Sequence, residues 1–469
     1  MNADQLSVER RDRAMKLLQD PALLWRIGEG IRSQGVAGEK GNGLTIYIVG
    51  VSCLTDDPLA LTAKGSSSIG KSWVAEKAVA LIPEENVHVV SRLSKNALFY
   101  LEPDELKNKV LVIVERGGEE DAAGSVRLLI SEHGLSVDVT TKDPKTNEPV
   151  TKHKEVKGPT AVVTTTTQAR LAVDDETRNL SIFMDDSEEQ TKAVLKMQAA
   201  KYHRRPTAKP DLSPFQDAVR ILRDTLGGHI GVDIPYSDFL AEKFPTKDVR
   251  ARRDFSKLLR FIAIVAFLHR YQRLRNEDGY IVALPEDYGY AWAILGDSLR
   301  RTLFGMPPKT EKLLKAARDL IKERAWNAEK SSLDGEFRTD FTRSDLAKQL
   351  RWTTDDVRNW IEPLEGTYLD VLEGGPGKAY KYHLADVDLQ AKLDLPNIED
   401  VRNSGTTPAR EGTTGVSTGL NGNSVTPYGE GRGLINDDVE KGVPKHVCYF
   451  DPKTDGFPQC QECGKIVAS

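Results

Sequence analysis

The sequence predicts an α/β fold in which a parallel sheet carries a phosphate-binding loop, followed by helices and two small C-terminal modules. Between Leu44 and Val173, short β-branched runs alternate with polar or helical stretches, and such alternation favours a parallel sheet built from βαβ units. Residues 65–72, GSSSIGKS, fit the phosphate-loop pattern G-x-x-x-x-G-K-[ST]. Residues 188–300 are mostly helical in pattern, and a segment rich in Gly, Thr, Ser and Asn (402–435) separates three cysteines from the rest of the chain.

The composition excludes several classes of protein. Of the 469 residues, 39% are hydrophobic and 29% are charged, and the mean hydropathy is −0.43, which is typical of a globular chain. No apolar run approaches the ~20 residues that a bilayer span needs, and the N-terminus lacks the apolar stretch of a secretory signal, so we expect a cytoplasmic protein without membrane contact. Only four cysteines occur, which excludes a disulfide-rich scaffold. A net charge of −5 means that any DNA contact requires local basic patches.

The predicted elements follow the chain in order, starting with helical residues 1–40. Four β-branched runs are predicted strands of the sheet: 44–52, 87–91, 109–115 and 160–167. A helix over Trp73–Leu81 follows the phosphate loop. Residues 136–157 alternate around the turn DPKTNEP and predict a β-hairpin. The most regular apolar periodicity predicts a long helix over Phe255–Arg273.

The C-terminal third of the chain predicts smaller modules. Within residues 306–385, three helical stretches precede two extended runs joined by Gly-Gly-Pro-Gly, a pattern that predicts a winged helix-turn-helix. The predicted organisation is an N-terminal helical segment (1–40), a P-loop core (41–200), a helical lid (201–303), a winged-helix domain (304–390), a flexible linker (391–440) and a tail (441–469).

The phosphate loop consists of eight residues with distinct expected roles: Gly65, Ser66, Ser67, Ser68, Ile69, Gly70, Lys71 and Ser72. The glycines let backbone N–H groups fold around phosphate oxygens, and the start of the following helix adds partial positive charge. Lys71 is expected to reach the β- and γ-phosphates of ATP, and Ser72 to ligate Mg²⁺. The strand leading to the loop is taken to be 44–52, with a detour through Pro58. The alternative is a Gly/Ser-rich surface loop.

The end of the strand 109–115 supplies the next candidate. Glu115 stands where an acid polarises the attacking water in NTPases, and Val114 then occupies the place of the Mg²⁺-binding Asp. The alternative is a core strand followed by solvated acids. At the tip of the strand 160–167, Thr165 or Thr166 is expected to orient the water, and Thr166 is assigned to the site, although a Thr-rich strand also occurs without such a role.

Arg178 is the candidate for stabilising transition-state charge. It lies in DDETRNLSIF, where a helical segment meets a strand. An Arg at such a position is expected to project into a neighbouring subunit's nucleotide. The alternative is a surface salt bridge with Asp174 or Asp175.

Taken in order, these elements resemble the AAA+ ATPases of the helicase clade, which includes the minichromosome maintenance helicases. The stretches GSSSIGKS, ETRN…DDSEEQT and ARRDFSKLLRFIAIVAFLHRYQR are similar to helicase-like ATPases of mobile elements and phages, which often accompany zinc-finger primases. The resemblance covers roughly residues 10–300 and implies a AAA+ core with a helical lid, a ring oligomer, most simply a hexamer, and ATP hydrolysis between subunits. It also implies that Arg253, on the lid helix, completes the site. Val114 departs from the family pattern, and no primase signature is present.

The resemblance places the hairpin 136–157 in a central channel, where it would contact single-stranded DNA. Lys142 and Lys145 flank its tip, and Lys152 follows on the second strand. Cations of a ring of hairpins would bind the phosphate backbone in a salt-dependent way. The alternative is a solvated surface hairpin.

The predicted winged helix offers a second basic surface. Arg358, on its recognition helix, is assigned to DNA, together with neighbouring Arg351 and Asn359 and with Lys378 and Lys381 on the wing. Asp355, Asp356 and Glu362 dilute the positive charge, so a protein-interaction module is the alternative.

The tail has the residue types of a zinc site. Cys460 and Cys463 have the C-x2-C spacing of a chelating turn, and His446 and Cys448 would supply the remaining ligands for Zn²⁺. Such a knuckle folds only with metal. The alternative is a disordered tail with free thiols.

Two functions of different classes follow from the sequence. The first is an ATP-dependent DNA helicase or translocase of a mobile-element or phage replication module. The second is an ATP-gated DNA-binding scaffold or loader that recruits a primase, polymerase or transposase with little hydrolysis, which the valine at position 114 favours. A transcription regulator is a weaker third reading, because it rests on the winged helix alone.

Overall fold

The computed structural model describes residues 3–94, 96–114, 120–142, 148–168, 171–203, 209–224, 231–246, 249–303, 308–330, 339–366, 368–375, 378–385 and 395–404. The described residues form two compact units. The first, here the core unit, contains those up to Phe244, those of Val249–Gly296 and those from Leu395 onward. The second, here the small unit, contains those of Pro245–Asp248 and Asp297–Asp394. In the described residues, none of the helices combines the length and apolarity needed to cross a membrane.

Three helices precede the sheet: α1 (Val8–Leu18), α2 (Leu23–Ser33) and α3 (Lys40–Val51). The prediction of a strand over 44–52 is therefore wrong, because most of that run lies in α3. Every residue from Gly43 to Val51 is buried. A helix buried on all sides needs no polar face, so its sequence is a continuous apolar run that periodicity cannot distinguish from a buried strand.

The strands of the central sheet and the elements that connect them follow in the order of the chain: β1 (Ala60–Lys64), α4 (Lys71–Val79), β2 (Val87–Val90), β3 (Lys109–Ile113), α5 (Glu120–Glu132), β4 (Gly134–Lys142), β5 (Pro149–Lys157), β6 (Thr160–Thr166), α6 (Val173–Arg178) and β7 (Leu180–Phe183). Its five strands lie in the order β2-β3-β6-β1-β7, and every pairing is parallel. The predicted parallel sheet and three of its four predicted strands are confirmed. Because β6 lies between β1 and β3, the ends of all three strands meet at one edge of the sheet.

The predicted hairpin is also confirmed. β4 and β5 pair antiparallel over their whole length, from Gly134 opposite Lys157 to Lys142 opposite Pro149. Leu135 and Val156 at its base are buried in a cluster with residues of β3 and α5. The base of the hairpin is thus fixed to the core unit, while the side chains of Asp138 and His153, farther from the base, are 69% and 64% exposed.

The remainder of the core unit is mainly helical, as predicted for 188–300: α7 (Glu188–His203), α8 (Ser213–Asp224), β8 (Val232–Asp233), α9 (Ser237–Lys243), α10 (Ala251–Leu268), β9 (Ile281–Val282) and α11 (Pro285–Leu303), whose residues after Gly296 belong to the small unit. The predicted helix 255–273 corresponds to α10, which starts earlier and stops at Leu268. Beyond it, Arg273 binds the carboxylate of Asp287 through two hydrogen bonds of 2.9 and 2.6 Å. Tertiary bonds of this kind fix the backbone outside the helix, and the local pattern does not contain them.

After the end of α11, the small unit contains α12 (Pro308–Lys330), β10 (Phe341–Thr342), α13 (Arg343–Leu350), α14 (Thr354–Ile361), a 3-10 turn (Glu362–Leu364), β11 (Leu369–Gly375) and β12 (Lys378–Leu384). The three strands form an antiparallel sheet in the order β10-β12-β11. Thr342 and Thr353 cap α13 and α14 with reciprocal side-chain bonds to the third residue of each helix. The three predicted helices and the predicted strand pair are confirmed. A last helix, α15 (Ile398–Asn403), belongs to the core unit.

Candidate nucleotide-binding site

The phosphate loop joins β1 directly to α4. β1 ends at Lys64, the loop starts at Gly65, and α4 begins at Lys71. The expected detour between strand and loop does not exist, because the strand that leads to the loop is β1 rather than the run 44–52. Strand, loop and helix therefore follow one another as the motif requires.

Two residues of the loop have left-handed backbone conformations. Gly70 has a φ of 97° and Ser68 a φ of 66°. Glycine adopts this region at no steric cost, whereas serine does so with strain. Gly65 is needed for a different reason, since a Cβ there would lie 2.9 Å from Cγ2 of Ile69. The loop is thus folded tightly enough to turn its backbone into the start of α4.

Lys71 lies within this loop. Its side chain is buried, and its Nζ donates to the carbonyl oxygens of Gly65 at 2.9 Å and Ser66 at 2.7 Å. The ammonium is therefore already held beside the backbone that would surround a phosphate group. Phosphate oxygens carry charge and bind an ammonium more strongly than neutral carbonyls do, so the residues present fit the triphosphate that the motif implies.

Ser72, Val114 and Thr165 meet beside the loop. The hydroxyl of Ser72 donates to the carbonyl oxygen of Val114 at 3.4 Å, and the hydroxyl of Thr165 donates to the same oxygen. Val114 follows β3, so its backbone stands at the position where the sequence lacks the expected Asp. Hydroxyl and carbonyl oxygens suit Mg²⁺, which prefers oxygen ligands. A role for the Val114 carbonyl was not predictable from the sequence.

Thr166 has a different environment from Thr165. It is buried, lies opposite Lys64 in the β1–β6 register, and its hydroxyl accepts a hydrogen bond from the backbone N–H of Gln168 at 3.1 Å. Thr165, one residue earlier, contacts the carbonyl that also binds Ser72. Thr165 is thus linked to Ser72 of the phosphate loop because both hydroxyls bind the Val114 carbonyl. Thr166 lies beside the loop because it is opposite Lys64, the residue that precedes it. The assignment of Thr166 as the water-orienting residue stays a prediction.

Arg178 lies at the end of α6 and has partners in its own chain. It forms the salt bridge to Asp174 that was the alternative prediction, at 3.4 Å, and its Nε donates to the hydroxyl of Ser131 at 2.9 Å. Arg253, in the first turn of α10, donates through Nη1 to the hydroxyl of Thr177. Arg178 therefore joins α6 to Ser131 of α5, and Arg253 joins the first turn of α10 to Thr177 of α6. The two predicted arginines lie 75 residues apart in the sequence (253 against 178).

One buried ion pair of this site was missed by sequence reasoning. Lys64 binds Glu176 of α6, and its side chain is only 2% exposed. The available signal was a lysine at the end of the otherwise uncharged run ALTAK, immediately before the loop. A partner so distant in sequence leaves no local pattern.

The predicted DNA-binding residues are distributed over both units. Lys142 ends β4 opposite Pro149, and Lys152 lies in β5 opposite Val139. Arg358 lies on α14 in the small unit, where it is exposed and 3.5 Å from Asp355. Lys145 lies outside the described residues.

Several other predicted site residues also lie outside the described residues: Glu115, His446, Cys448, Cys460 and Cys463. In the part of the chain that the structure describes, no three His, Cys, Asp or Glu side chains cluster as metal ligands. The described cysteine, Cys53, is buried, and burial raises the pKa of its thiol. A thiol of this kind is unreactive.

Comparison with known proteins supports the phosphate-loop assignment. Residues 8–216 match the model of a family described as MTBMA_p00010 P-loop domain. The match includes the loop and the whole sheet β2-β3-β6-β1-β7. No curated protein matches the chain. The chain thus carries a P-loop domain on an α/β core, and such a domain indicates nucleotide binding, usually with Mg²⁺, and NTPase activity.

Proposed function

We propose that the chain is an ATP-dependent DNA translocase or helicase of a mobile-element or phage replication module, which acts as a ring. One observation carries the proposal: the hairpin β4–β5 is inserted between α5 and β6, and β6 is the strand that pairs with β1, which leads to the phosphate loop. A projecting hairpin rooted beside an ATP site provides a way for hydrolysis to move a bound strand. Its resemblance to helicase-clade AAA+ ATPases supports the same conclusion.

The reaction proposed is hydrolysis of the γ-phosphate. A bond forms between a water oxygen and the γ-phosphorus, the bond to the β–γ bridging oxygen breaks, and the water proton passes to Glu115. Lys71 binds the phosphates, Ser72 is the protein ligand for Mg²⁺, and Arg178 reaches the nucleotide of the adjoining subunit. Bound Mg²⁺ neutralises charge on the phosphate oxygens.

The ATPase assignment is tested by replacing Lys71, the cation within the loop. We expect Lys71→Ala to lower ATP turnover at least a hundredfold, because the phosphates lose their direct cationic partner. Lys77→Ala is the matched control, because Lys77 lies on the same helix, in its last turn, and pairs with exposed Glu76. Retained turnover in the Lys71 variant would overturn the assigned role of the loop.

The proposed translocation on DNA needs a separate measurement. Single-stranded oligonucleotide should stimulate ATP turnover of the wild-type chain, and nucleotide should promote ring assembly visible by negative-stain imaging. A chain that hydrolyses ATP with no response to DNA, and stays monomeric with nucleotide and oligonucleotide together, would retain the NTPase but not the translocase.

A second candidate is an ATP-gated scaffold or loader that recruits a primase, polymerase or transposase. The observation that favours it is Val114, which offers a backbone carbonyl rather than a carboxylate beside Ser72. In this function the small unit acts as a winged helix and the cysteine tail as a Zn²⁺ knuckle, both for partner binding. Tight ATP binding with negligible turnover, alone or with DNA, would favour the scaffold over the motor.

A further inference from the structure

Lys64 has an unusual position for a lysine. It is the last residue of β1, a strand whose five residues are all buried, and it immediately precedes the phosphate loop. Its backbone lies opposite Thr166 on β6 and Phe183 on β7, and its carbonyl oxygen accepts a hydrogen bond from the N–H of Met184 at 3.0 Å. The backbone of Lys64 is therefore held in place by a paired strand on each side.

The partner of Lys64 binds two parts of the site at once. Oε1 of Glu176 accepts from the Lys64 ammonium and also from the backbone N–H of Leu171, at 3.0 Å. Leu171 belongs to the connection that leads from Thr166 to α6. A single carboxylate oxygen therefore joins the end of β1 to the segment that follows the Thr-tipped strand.

The short helix α6 is held from three sides. Lys64 binds Glu176 from the sheet, and Arg127 of α5 binds Asp175 at 2.8 Å. Arg250, the residue before α10, donates to the carbonyl oxygen of Glu176 at 2.9 Å, and Arg253 of α10 donates to the hydroxyl of Thr177. A helix of six residues is not stable by itself, so these side-chain bonds determine where α6, and with it Arg178, is placed.

Stability alone does not account for this buried pair. Removing an ammonium and a carboxylate from water costs free energy, and an apolar pair of similar volume is often as stable. A charged pair does fix geometry, because each group needs its partner at hydrogen-bond distance. Lys64 lies one residue before the phosphate loop, and Glu176 lies two residues before Arg178. The ion pair is therefore placed to couple the loop to Arg178.

We propose that Lys64 and Glu176 are positioning residues for ATP hydrolysis. Their ion pair links the strand that carries the phosphate loop to α6, and so places Thr177 and Arg178 and the Arg253 bound to Thr177. This inference rests on the proposed ATPase function. Neither side chain belongs to the eight-residue loop, so loss of the pair should slow turnover without weakening nucleotide binding.

The test is the double variant Lys64→Met/Glu176→Gln in the full chain. It removes both charges together, and the amide oxygen at 176 can still accept from the Leu171 N–H, so no unpaired ion is left buried. ATP turnover and the dissociation constant of a fluorescent ATP analogue are measured, with circular dichroism and the thermal midpoint to show that the variant is folded. We expect kcat to fall at least tenfold while KM and the dissociation constant stay within threefold of wild type.

A matched control removes another buried Lys–Glu pair of the core unit. Lys40 of α3 and Glu29 of α2 lie 2.9 Å apart, and the lysine is similarly buried. The variant Lys40→Met/Glu29→Gln is expected to keep kcat within twofold of wild type, because this ion pair joins α3 to α2 rather than the strand before the loop to α6.

Each other outcome overturns a specific claim. If the folded Lys64/Glu176 variant keeps wild-type kcat, the pair has no positioning role. If kcat and nucleotide affinity fall together, the pair acts on the binding loop or on the fold, and the inference is wrong. If the wild-type chain itself neither binds nor hydrolyses ATP, the proposed function fails first and this inference fails with it.

Discussion

The charged side chains around the phosphate loop differ from those of the hairpin β4–β5 in their surroundings. Lys64 and Lys71 are buried, and each is held by defined acceptors. On the hairpin, the cross-strand pair of Asp138 and His153 is 2.7 Å apart, yet its side chains are 69% and 64% exposed. A buried charge that loses its partner costs several kcal/mol, whereas an exposed pair contributes less than ~1 kcal/mol. A single substitution of a buried charge near the loop should therefore have a large effect, whereas on the hairpin several charges must be replaced together to produce one.

The largest expected effect on stability tests this contrast in the helical part of the core unit. The side chains of Arg273 and Asp287 are at most 2% exposed and form a bidentate pair. We expect Arg273→Met to lower the free energy of unfolding by about 3–5 kcal/mol, because it leaves a carboxylate buried without its cation. Urea denaturation measures the change.

An exposed ion pair serves as the control for Arg273. Lys192 and Glu188 on α7 lie 2.6 Å apart with side chains 63% and 76% exposed. Lys192→Met should change the unfolding free energy by no more than about 0.5 kcal/mol. A cost below ~1 kcal/mol for Arg273→Met, or equal costs for both variants, would break the comparison between buried and exposed charge.

The next effect is a pH dependence of stability due to His269. Burial, and then the charge of Arg273, lower the pKa of this imidazole to about 4. Its Nδ1 donates to the carbonyl oxygen of Val265 at 2.8 Å, and its ring stacks on Tyr290. In the unfolded chain the imidazole titrates near 6.5. Between about pH 6.5 and pH 4 the unfolded state therefore binds more protons, and the free energy of unfolding falls as the pH falls, by about 3 kcal/mol in total.

Denaturation series at several pH values check this prediction. His269→Phe keeps an aromatic ring against Tyr290 and removes the titrating group, so the slope between pH 6.5 and 4 should become shallower. The assignment to His269 is wrong if the Phe variant keeps the full slope.

Patterns that are local in sequence predicted most of the sheet and its loop. The phosphate loop, the strands β2, β3 and β6 and the hairpin were recognisable because turn residues and β-branched runs determine them over short stretches. The helix α3 was not, because full burial removes the polar face that distinguishes a helix from a strand. The strand before the loop was consequently misplaced.

The limits of prediction within the site are of a different kind. Successive residues of a strand point to opposite faces, and the sequence offered either Thr165 or Thr166 as the candidate. Which of them would contact the end of β3 depended on the order of the strands, which a single sequence does not contain. Lys64 and Glu176 lie 112 residues apart, and an ion pair of that kind exists only once the sheet and α6 have formed.

A smaller effect is expected from the hairpin, where grouped charges matter. The triple variant Lys142→Ala, Lys145→Ala and Lys152→Ala should weaken binding of single-stranded DNA about tenfold or more at low salt. If each lysine contacts one phosphate, the slope of log affinity against log salt should decrease by about 2. Fluorescence anisotropy with a labelled oligonucleotide at several salt concentrations measures both quantities.

The hairpin variant needs a control with the same loss of charge. Lys107, Lys109 and Lys196 lie outside the hairpin, and their combined replacement by alanine should leave the salt slope at its wild-type value. Equal losses of affinity in both triple variants would mean that net charge, and not the hairpin, governs DNA binding.

The smallest expected effect concerns the backbone of the phosphate loop, which lies between the buried lysines and solvent. Ser68 is exposed and has a φ of 66°, whereas exposed Ser67 is not among the residues with positive φ. A left-handed conformation costs an L-residue roughly 1–2 kcal/mol, and glycine in turn adds unfolded-state entropy worth about 0.4–1 kcal/mol.

Ser68→Gly should therefore raise the free energy of unfolding by up to about 1 kcal/mol, and Ser67→Gly should lower it. Thermal and urea denaturation of the two variants measure a difference of about 1–2 kcal/mol between neighbouring serines. If both changes destabilise the chain equally, the loop in solution does not hold residue 68 in the left-handed region, and the tight turn into α4 is not the ground state of the loop without nucleotide.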